Sequence, residues 1–505
     1  MHSINMNALW FSIPLILAET YSYFGALLFM FGLWRPIVRQ SEPVIPNRTV
    51  DIYITCYDEP IDIIKQTIEM GKNITYPNEI YVCDDGHRQE IRDLSLQHEV
   101  HYLSRPDNLH AKAGNLNYAY NHSQGEFILI LDADFVVLPH ILDDILGYFR
   151  DERVAFVQTP QTFYNIPRND PFGNDASFFY GPIQQGKDGL NASFSCGAGS
   201  IFRRKSLETL AEKRLEKQPN ANTRYLEPFE TESITEDMYT SLALHSLGWK
   251  SAYHSQPCGF ALSPNDLGTV YKQRFRWGAG TLQVLFRGKF FSRNLTFGQR
   301  ISYLSTMYYY LIGIPAIIYL VAPLAFLFLN KTPIVTDATE FALYFIPYYS
   351  LNFLMFYVIA SGYRWWRGFQ NSIALFPIFI ASLIHVIIRK RLTFKVTSKE
   401  TLSGNYLYLV LPQILLGLSL LAGIIVGFIK ITYWGYYWQT PAILVNIFWA
   451  FYNISLLFNI IKASFWQPTF YENDNAFQIL FYSFLQRAAK DPTLVQSLKQ
   501  RRFVK

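Results

Sequence analysis

The stretch FILILDAD, from Phe127 to Asp134, decides which fold this chain is expected to have. An apolar run that stops at two aspartates is typical of a buried strand ending at a polar edge. Side chains two residues apart point to the same face of a strand, so Asp132 and Asp134 should present their carboxylates together. Hard divalent cations bind such oxygen ligands. The alternative is a solvated pair of aspartates, because short Asp-x-Asp patterns also arise by chance.

Extended apolar runs alternate with helically patterned segments around this strand. The runs predicted as strands are 50–55, 79–83, 100–103, 126–131 and 154–158, and the predicted helices include 60–71, 113–121 and 238–247. This alternation is typical of an open α/β sheet that binds nucleotides beyond the carboxyl ends of its strands. Three predicted strands end in polar residues at that edge, namely Thr55, Tyr57, Glu59, Asp84, Asp85, Asp132 and Asp134.

The composition predicts a membrane region beside this domain. The chain has 505 residues, of which 50% are hydrophobic and 17% aromatic, which exceeds what one soluble domain of this length needs. The long apolar runs are 9–33, 304–329, 342–360, 406–429 and 443–461. Each is near the length that crosses about 30 Å of hydrocarbon as a helix. The first run lacks a small-residue cleavage site after a short apolar core, so we expect a retained anchor.

The positions of the basic residues predict the orientation. Residues 1–7 contain no Lys or Arg, whereas Arg35 and Arg39 follow the first span, so the soluble stretch should face the cytosol. Later basic clusters fall on the same side if the apolar segment 372–388 lies in the membrane surface as an interfacial helix. The net charge of +5 is then a topology signal, and no nucleic-acid partner is expected.

The cysteines predict a reducing compartment. All four lie in the soluble stretch, at 56, 83, 196 and 258, without paired metal-ligand spacing. We therefore expect free thiols and no disulfides.

A series of motifs in fixed order resembles a known family. The series is Asp84-Asp85-Gly86, His110 to Asn115, Asp132-Ala-Asp134, Thr235-Glu236-Asp237 and Gln273-x-x-Arg276-Trp277, with further matches at 157–161, 194–199 and 394–399. It is similar to the processive family-2 glycosyltransferases of the cellulose synthase type, and the resemblance covers about residues 50–465. Of the matching segments, 394–399 resembles the gating loop of bacterial cellulose synthase catalytic subunits.

The resemblance implies a cytosolic α/β domain of the GT-A, Rossmann-like type inserted between transmembrane helices of a polytopic α-helical membrane protein. The implied divisions are an N-terminal helix and linker at 1–45, the glycosyltransferase domain at 46–300, a transmembrane channel region at 301–465, and a cytosolic tail at 466–505. The channel region would include the interfacial helix 372–388 and the gating loop 389–402. The expected location is the plasma (inner) membrane.

The resemblance also implies a role for each site residue. Asp237 would be the general base, and Asp134 with Asp132 would hold Mg²⁺ or Mn²⁺. Residues expected to bind the UDP-sugar donor are Thr55, Tyr57, Glu59, Asp84, Asp85, Lys112, Arg276, Phe394, Thr397 and Lys399. Residues expected to bind the acceptor are Trp277, Gln273, Cys196 and Glu236. We expect no nucleophilic role for Cys196, since direct single displacement needs none.

Simpler interpretations stay open for several of these residues. Asp84 and Asp85 precede a glycine, which is a common turn signal. Lys112 and Arg276 could be solvated cations, and Asp237 could be an acid at a helix N-terminus. The aromatic residue of the last motif, Trp277, could be an ordinary tryptophan of the membrane interface. The 394–399 loop could be a topology determinant only.

The implied activity is inverting, processive transfer of glucose from UDP-glucose to a growing β-glucan that is exported through the membrane. The implied product is cellulose, curdlan or a mixed-linkage glucan. Membrane lipid and an accessory export subunit are the further expected partners. The alternatives are a hyaluronan- or chitin-type synthase, a non-processive transferase acting on a lipid carrier, and a catalytically silent conduit.

Two departures from the family pattern limit the analogy. Ser195 stands where the family has a second Phe, and the tail after Ile461 is too short for a C-terminal cyclic-di-GMP-binding domain, so we expect none. The acidic Glu19 lies inside the first span, where it should face protein or a channel.

Overall fold

The computed structural model describes residues 4–167, 169–216, 225–287, 289–336, 338–389 and 405–466. An α/β domain follows the first helix and is followed by a helical region. The strands are β1 (Val50–Cys56), β2 (Glu79–Asp84), β3 (His101–Leu103), β4 (Phe127–Asp132), β5 (Val136–Val137), β6 (Val154–Gln158), β7 (Thr162–Phe163), β8 (Ser200–Arg203), β9 (Lys250–Tyr253) and β10 (Gly259–Ala261). The five strands predicted from the sequence are confirmed, with ends that differ by at most one residue.

The described strands form one large sheet and one small one. The large sheet has the order β3-β2-β1-β4-β8-β6-β9, and the small sheet has the order β5-β10-β7. β8 runs antiparallel to β4 and β6, whereas β1 to β4 are mutually parallel and β6 is parallel to β9. This mixed sheet brings the carboxyl ends of β1, β2 and β4 to one edge.

Helices cover both faces of the large sheet. They are α2 (Ile61–Lys72), α3 (Gln89–Gln97), α4 (Ala111–Asn121), α5 (Ile141–Ile145), α6 (Gln184–Gly189), α7 (Arg204–Leu215), α8 (Glu236–Ser246) and α9 (Leu267–Arg287). One face of β1 packs Ile52 and Ile54 against Ile64 of α2, and the other face packs Tyr53 with Leu116 of α4. Burial on both faces explains why β1 is mostly apolar on both faces.

The remaining helices form the membrane region, and most of them are strongly apolar. They are α1 (Leu9–Gly32), α10 (Phe297–Tyr309), α11 (Gly313–Leu329), α12 (Ala338–Ile359), α13 (Trp366–Ala374), α14 (Phe376–Ile387), α15 (Leu411–Thr432) and α16 (Thr440–Ala463). Within the described residues, four helical segments are long and apolar enough to cross a bilayer, and up to six if each of two bent pairs is one span. Large apolar side chains on them, such as Leu343, Leu418 and Phe448, are exposed. The chain is therefore a membrane protein.

Two predicted segments are more broken than the sequence indicated. The run 304–329 is divided between α10 and α11, which meet at 47°. The predicted interfacial segment 372–388 covers the end of α13 and all of α14, which meet at 55°. α14 packs against α9, where Ser382 Oγ donates to the carbonyl oxygen of Phe275 at 3.3 Å. Its position at the membrane surface stays a prediction.

The membrane region also shows where the acidic residue of the first span lies. Glu19 shares a side-chain hydrogen bond with Tyr319 of α11. The hydroxyl of Tyr319 is also 2.9 Å from Ser22 Oγ on α1. Glu19 thus contacts protein, as expected for a carboxylate in an apolar span.

Candidate active site

The sheet register places the carboxyl ends of β1, β2 and β4 side by side. Thr55 pairs with Asp132, and Cys56 pairs with Asp84. The Thr55 hydroxyl donates to the carbonyl oxygen of Leu131 at 3.3 Å, which ties the ends of β1 and β4 together. The carboxyl edge of the sheet is thus a row of oxygen-bearing side chains.

Asp84 organises the turn that follows β2. Its carboxylate accepts from the backbone N–H of Gly86 at 2.9 Å and of Arg88 at 2.8 Å. A Cβ at Gly86 would collide with the carbonyl oxygen of Tyr57, so the turn needs glycine. The turn interpretation of this Asp-Gly pair is therefore correct for Asp84. A contact with the donor stays a prediction for both aspartates.

Asp85 is paired with a residue that sequence analysis missed. Arg105 donates from Nε and Nη2 to the two carboxylate oxygens of Asp85, each at 2.7 Å, and both side chains are buried. Burial raises the pKa of Asp85, and the guanidinium opposes that shift. Arg105 also donates to the carbonyl oxygens of Leu109 and Ala111, so it fixes the loop that leads into α4. Its position just after β3, at the same edge of the sheet, was the available signal.

The loop after β1 holds the next two predicted donor contacts. The Glu59 carboxylate accepts from the backbone N–H of Tyr57 at 2.7 Å, and burial raises the pKa of Glu59. The Tyr57 ring is 42% exposed. Glu59 therefore shapes the loop, and a contact of the exposed Tyr57 with the donor stays a prediction.

Lys112 lies at the centre of the cleft. Its Nζ is 2.5 Å from Oδ1 of Asp132 and 3.1 Å from the carbonyl oxygen of Gly197. Burial lowers the pKa of Lys112, but the negative charges of Asp132 and Glu236 outweigh it and raise the pKa overall. Lys112 is thus a charged ammonium group that is held in an ion pair, and it is not a solvated surface cation.

The two aspartates of the opening motif differ in environment. The Asp132 side chain is 42% exposed, whereas Asp134 is buried and its Oδ2 accepts from the backbone N–H of Leu262 at 3.0 Å. One carboxylate therefore faces the cleft and the other is fixed in its wall. Such a donor set of carboxylate oxygens fits a hard divalent cation.

Gly197 is the point where Lys112 and Asp237 come together. It has a φ of +92°, and a Cβ there would lie 3.2 Å from Oδ2 of Asp237 and 3.3 Å from Nζ of Lys112. Only glycine combines this backbone conformation with so close an approach. The loop 194–199 thus joins the predicted phosphate-binding and catalytic residues.

Asp237 lies in the first turn of α8 beside a second acid. Its Oδ1 accepts from the backbone N–H of Met238 at 2.7 Å. Burial and the neighbouring charge of Glu236 raise the pKa of Asp237 to about 7. Burial also raises the pKa of Glu236, and Lys112 and Arg276 oppose that shift. Five predicted site residues, Asp132, Glu236, Asp237, Lys112 and Arg276, therefore share one electrostatic cluster.

Glutamines hold the loop that carries Cys196. The backbone N–H of Cys196 donates to Oε1 of Gln158 at 2.7 Å, and its carbonyl oxygen accepts from Nε2 of Gln161 at 2.9 Å. Burial raises the pKa of the Cys196 thiol to about 12, so the thiol is protonated near neutral pH. Ser195, which replaces a family Phe, is buried and donates to the hydroxyl of Ser200 at 3.0 Å.

Helix α9 carries the predicted acceptor motif next to the membrane helices. Gln273, Arg276 and Trp277 share one face by their spacing. Cζ of Arg274 lies 4.6 Å from the ring centre of Trp277, a contact that sequence analysis missed. Burial lowers the pKa of Arg274, and the electrostatic effect of Tyr309 and Tyr310 opposes that shift. The predicted contacts at Phe394, Thr397 and Lys399 lie outside the described residues.

Family models match most of the chain. Residues 51–211 match the glycosyl transferase family 2 model, and residues 228–467 match the cellulose synthase model. The cellulose synthase 1 catalytic subunit (UDP-forming) of Komagataeibacter xylinus is 33% identical over 407 residues, with coverage of 77% of this chain and 52% of the relative. The corresponding subunit of Pseudomonas fluorescens strain SBW25 is 30% identical over 472 residues, with coverage of 88% and 61%.

A longer relative matches in the same way. Cellulose synthase 1 of Komagataeibacter xylinus is 32% identical over 483 residues, which cover 89% of this chain and 29% of that protein. The chain thus spans between 29% and 61% of the length of these relatives.

Comparison with solved structures supports the fold. A mannosyltransferase from Pyrobaculum calidifontis, solved with GDP-mannose and Mn²⁺, aligns with a TM-score of 0.51 at 16% identity and covers 75% of this chain and 100% of its own. This likeness and the family-2 match confirm the predicted GT-A fold of the α/β domain. The chain belongs to the cellulose synthase type of the family-2 glycosyltransferases.

Proposed function

We propose that this chain is an inverting, processive β-glycosyltransferase that polymerises glucose from UDP-glucose into a β-glucan and passes the polymer across the membrane. The observation that carries the proposal is the meeting of Lys112, Asp132 and Asp237 around Gly197, at the carboxyl edge of the sheet. Sugar transfer from a nucleotide needs positive charge beside the leaving diphosphate and a carboxylate that accepts the proton of the acceptor hydroxyl. The UDP-forming relatives support UDP-glucose as the donor.

The donor side of the proposed site would bind the diphosphate of the nucleotide. Asp132 and Asp134 would hold Mg²⁺ or Mn²⁺, which when bound neutralises charge on the leaving diphosphate. Lys112 and Arg276 would contact the phosphates, and Tyr57, Asp84 and Asp85 would line the nucleoside end. Since Lys112 is paired with Asp132 in this structure, donor binding would exchange that ion pair for contacts to phosphate and metal.

Asp237 would act as the general base. The acceptor hydroxyl attacks the anomeric carbon, the bond from that carbon to the diphosphate breaks, and the hydroxyl proton passes to Asp237. UDP leaves with the electron pair, and the configuration inverts in this single displacement. A carboxylate whose pKa is raised to about 7 is a stronger base than an ordinary aspartate and is about half ionised at neutral pH.

The acceptor side would lie along α9. Trp277 would stack on a sugar ring, and Gln273, Glu236 and Cys196 would contact the same end of the polymer. α9 packs directly against α14 of the membrane region, so the growing chain would enter the membrane helices as it leaves the site. The catalytic domain would face the cytosol at the plasma (inner) membrane, with an accessory export subunit as a candidate partner.

The proposal is tested with the purified full chain in lipid nanodiscs. Labelled UDP-glucose is added with Mg²⁺ or Mn²⁺ or with EDTA, and the product is sized and digested with linkage-specific glucanases. A metal-dependent polymer cut by a β-glucanase supports the proposal. A polymer made only from UDP-N-acetylglucosamine or UDP-glucuronate would replace it with a hyaluronan- or chitin-type synthase. A single sugar on lipid would identify a carrier transferase, and no consumption of any donor would identify a silent conduit.

A further inference from the structure

A second group of ligand-type side chains lies in the α/β domain apart from the residues that form the cleft. Asp144 is on α5, and His254 and Cys258 lie between β9 and β10. A carboxylate oxygen, a ring nitrogen and the sulfur of these three residues all lie within 4.8 Å of one another. His140, one turn before Asp144, brings Nε2 to 3.3 Å from an Asp144 carboxylate oxygen. A carboxylate, an imidazole and a thiol therefore converge on one place, and a second imidazole lies beside the carboxylate.

The group is buried, which separates it from ordinary surface acids. His254 is 1% exposed and Cys258 is fully buried, and the His140 and Asp144 side chains are 12% and 26% exposed. Charged groups that are taken out of water are paired or bind metals. A buried cysteine by itself is usually a small apolar side chain, but here it borders a carboxylate and an imidazole.

A hydrogen-bond relay orients His254. The Tyr148 hydroxyl lies 3.0 Å from the carbonyl oxygen of Gln40 and 2.9 Å from Nδ1 of His254. A hydroxyl has one proton, which Tyr148 gives to the carbonyl oxygen, so the Nδ1–H of His254 donates to the phenol oxygen. That tautomer leaves the lone pair on Nε2. Metal-binding histidines are commonly fixed through their other ring nitrogen in this way.

We propose that His140, Asp144, His254 and Cys258 form a structural zinc site. A mixed set of nitrogen, sulfur and oxygen ligands in fourfold number is what Zn²⁺ takes in closed sites, whereas Mg²⁺ avoids sulfur. Ligand atoms around a tetrahedral zinc are roughly 3.3 to 3.8 Å apart, as bond lengths of about 2.0 to 2.3 Å require. The ligand atoms of Asp144, His254 and Cys258, which lie within 4.8 Å of one another, would need to close by at most about 1.5 Å, and the His140 ring would turn from Asp144 toward the ion.

The site would tie three parts of the chain together. Ser41 Oγ donates to Asp144 at 3.4 Å, and Tyr148 holds Gln40, so the linker that follows α1 passes beside the group. Cys258 directly precedes β10, and Leu262, just after β10, donates the N–H that holds Asp134. A zinc ion would therefore fix the chain where it enters the domain and the strand that supports the cation-binding aspartate.

The test starts with the unaltered full chain in detergent. The protein is washed with EDTA to remove loosely held Mg²⁺ and Mn²⁺, and its zinc is measured by elemental mass spectrometry and X-ray absorption. We expect about one zinc per chain with one sulfur among its ligands. A chain without zinc that also fails to take it up on reconstitution, or a zinc shell without sulfur, would overturn the proposal.

A cobalt experiment assigns the sulfur. Replacement of zinc by Co²⁺ should give a thiolate-to-cobalt charge-transfer band in the near ultraviolet. Cys258→Ser should remove this band and lower zinc content at least tenfold, whereas Cys83→Ser, a matched change of another buried free thiol, should retain both. A full band in Cys258→Ser would contradict the assignment. If Cys258→Ser fails to fold, the absorption spectrum of the unaltered chain still decides.

Discussion

Nζ of Lys112 lies 2.5 Å from Oδ1 of Asp132, so a predicted phosphate contact and a predicted metal ligand neutralise each other in this structure. Both groups are expected to act on the same diphosphate. Their pairing means that each charge already has a partner before the donor arrives. The ion pair thus competes with both the cation and the donor, and that competition can be measured.

Lys112→Met should strengthen the binding of the metal and weaken the binding of the donor. Removing the ammonium frees Asp132, so Mn²⁺ should bind more tightly in the absence of nucleotide. The loss of a charged contact to phosphate, worth about 1.5 to 3 kcal/mol, should raise the KM for UDP-glucose about 10- to 100-fold. Mn²⁺ titration by electron paramagnetic resonance and donor kinetics measure the two effects. Lys65→Met, at an exposed pair with Glu69, is the control and should change neither.

Asp237→Asn should abolish chemistry without preventing donor binding. An amide keeps the shape of the side chain but cannot accept the acceptor proton, so kcat should fall about 10²- to 10⁴-fold. The KM for UDP-glucose should change little, because the base faces the acceptor. Glu227→Gln, a change of an exposed acid on the segment before α8, is the control. Undiminished polymer yield from Asp237→Asn would remove this residue from the base position.

The raised pKa of Asp237 predicts how activity and stability depend on pH. Activity needs the ionised form, so kcat/KM should increase as pH rises through about 7 and decline below it. The folded pKa lies above the unfolded value, so ionising Asp237 destabilises the folded state. That penalty is absent below the unfolded pKa, grows as pH rises to about 7 and is constant above it. Asp237→Asn should therefore raise the Tm more at pH 8 than at pH 5. An equal Tm difference at both pH values would contradict the shift.

Arg105→Ala should destabilise the α/β domain. Both partners of the Arg105 and Asp85 pair are buried, and removal of the guanidinium would leave an uncompensated carboxylate. Breaking such a buried pair costs about 3 to 5 kcal/mol. Thermal unfolding in detergent should show a large drop in Tm. Arg153→Ala, which removes an exposed partner of Asp151, should stay within about 1 kcal/mol of the parent.

The strands could be predicted from sequence, but the pairings in the site could not. The runs around Ile52 and Leu129 are mostly apolar on both faces because both faces are covered, which distinguishes them from amphipathic helices. The break at residues 310–312, between α10 and α11, escaped prediction because those residues are themselves apolar and continue the run. The motif residues Asp84 and Asp132 were correctly expected at the ends of β2 and β4. The contacts from Arg105 to Asp85 and from Lys112 to Asp132 each join residues 20 positions apart, and neither spacing has a periodic signal.

Trp277→Leu should shorten the polymer more than it slows donor use. The guanidinium of Arg274 covers the Trp277 ring at 4.6 Å, so a sugar would stack on the opposite face. Loss of a stacking face should release the acceptor early, because an aliphatic side chain offers no flat surface. Polymer length measured by gel filtration should fall several-fold, while the KM for UDP-glucose should stay within about twofold. Trp438→Leu, at a fully exposed tryptophan between α15 and α16, is the matched control. Equal shortening in both variants would show that tryptophan loss acts through the membrane region and not through the acceptor.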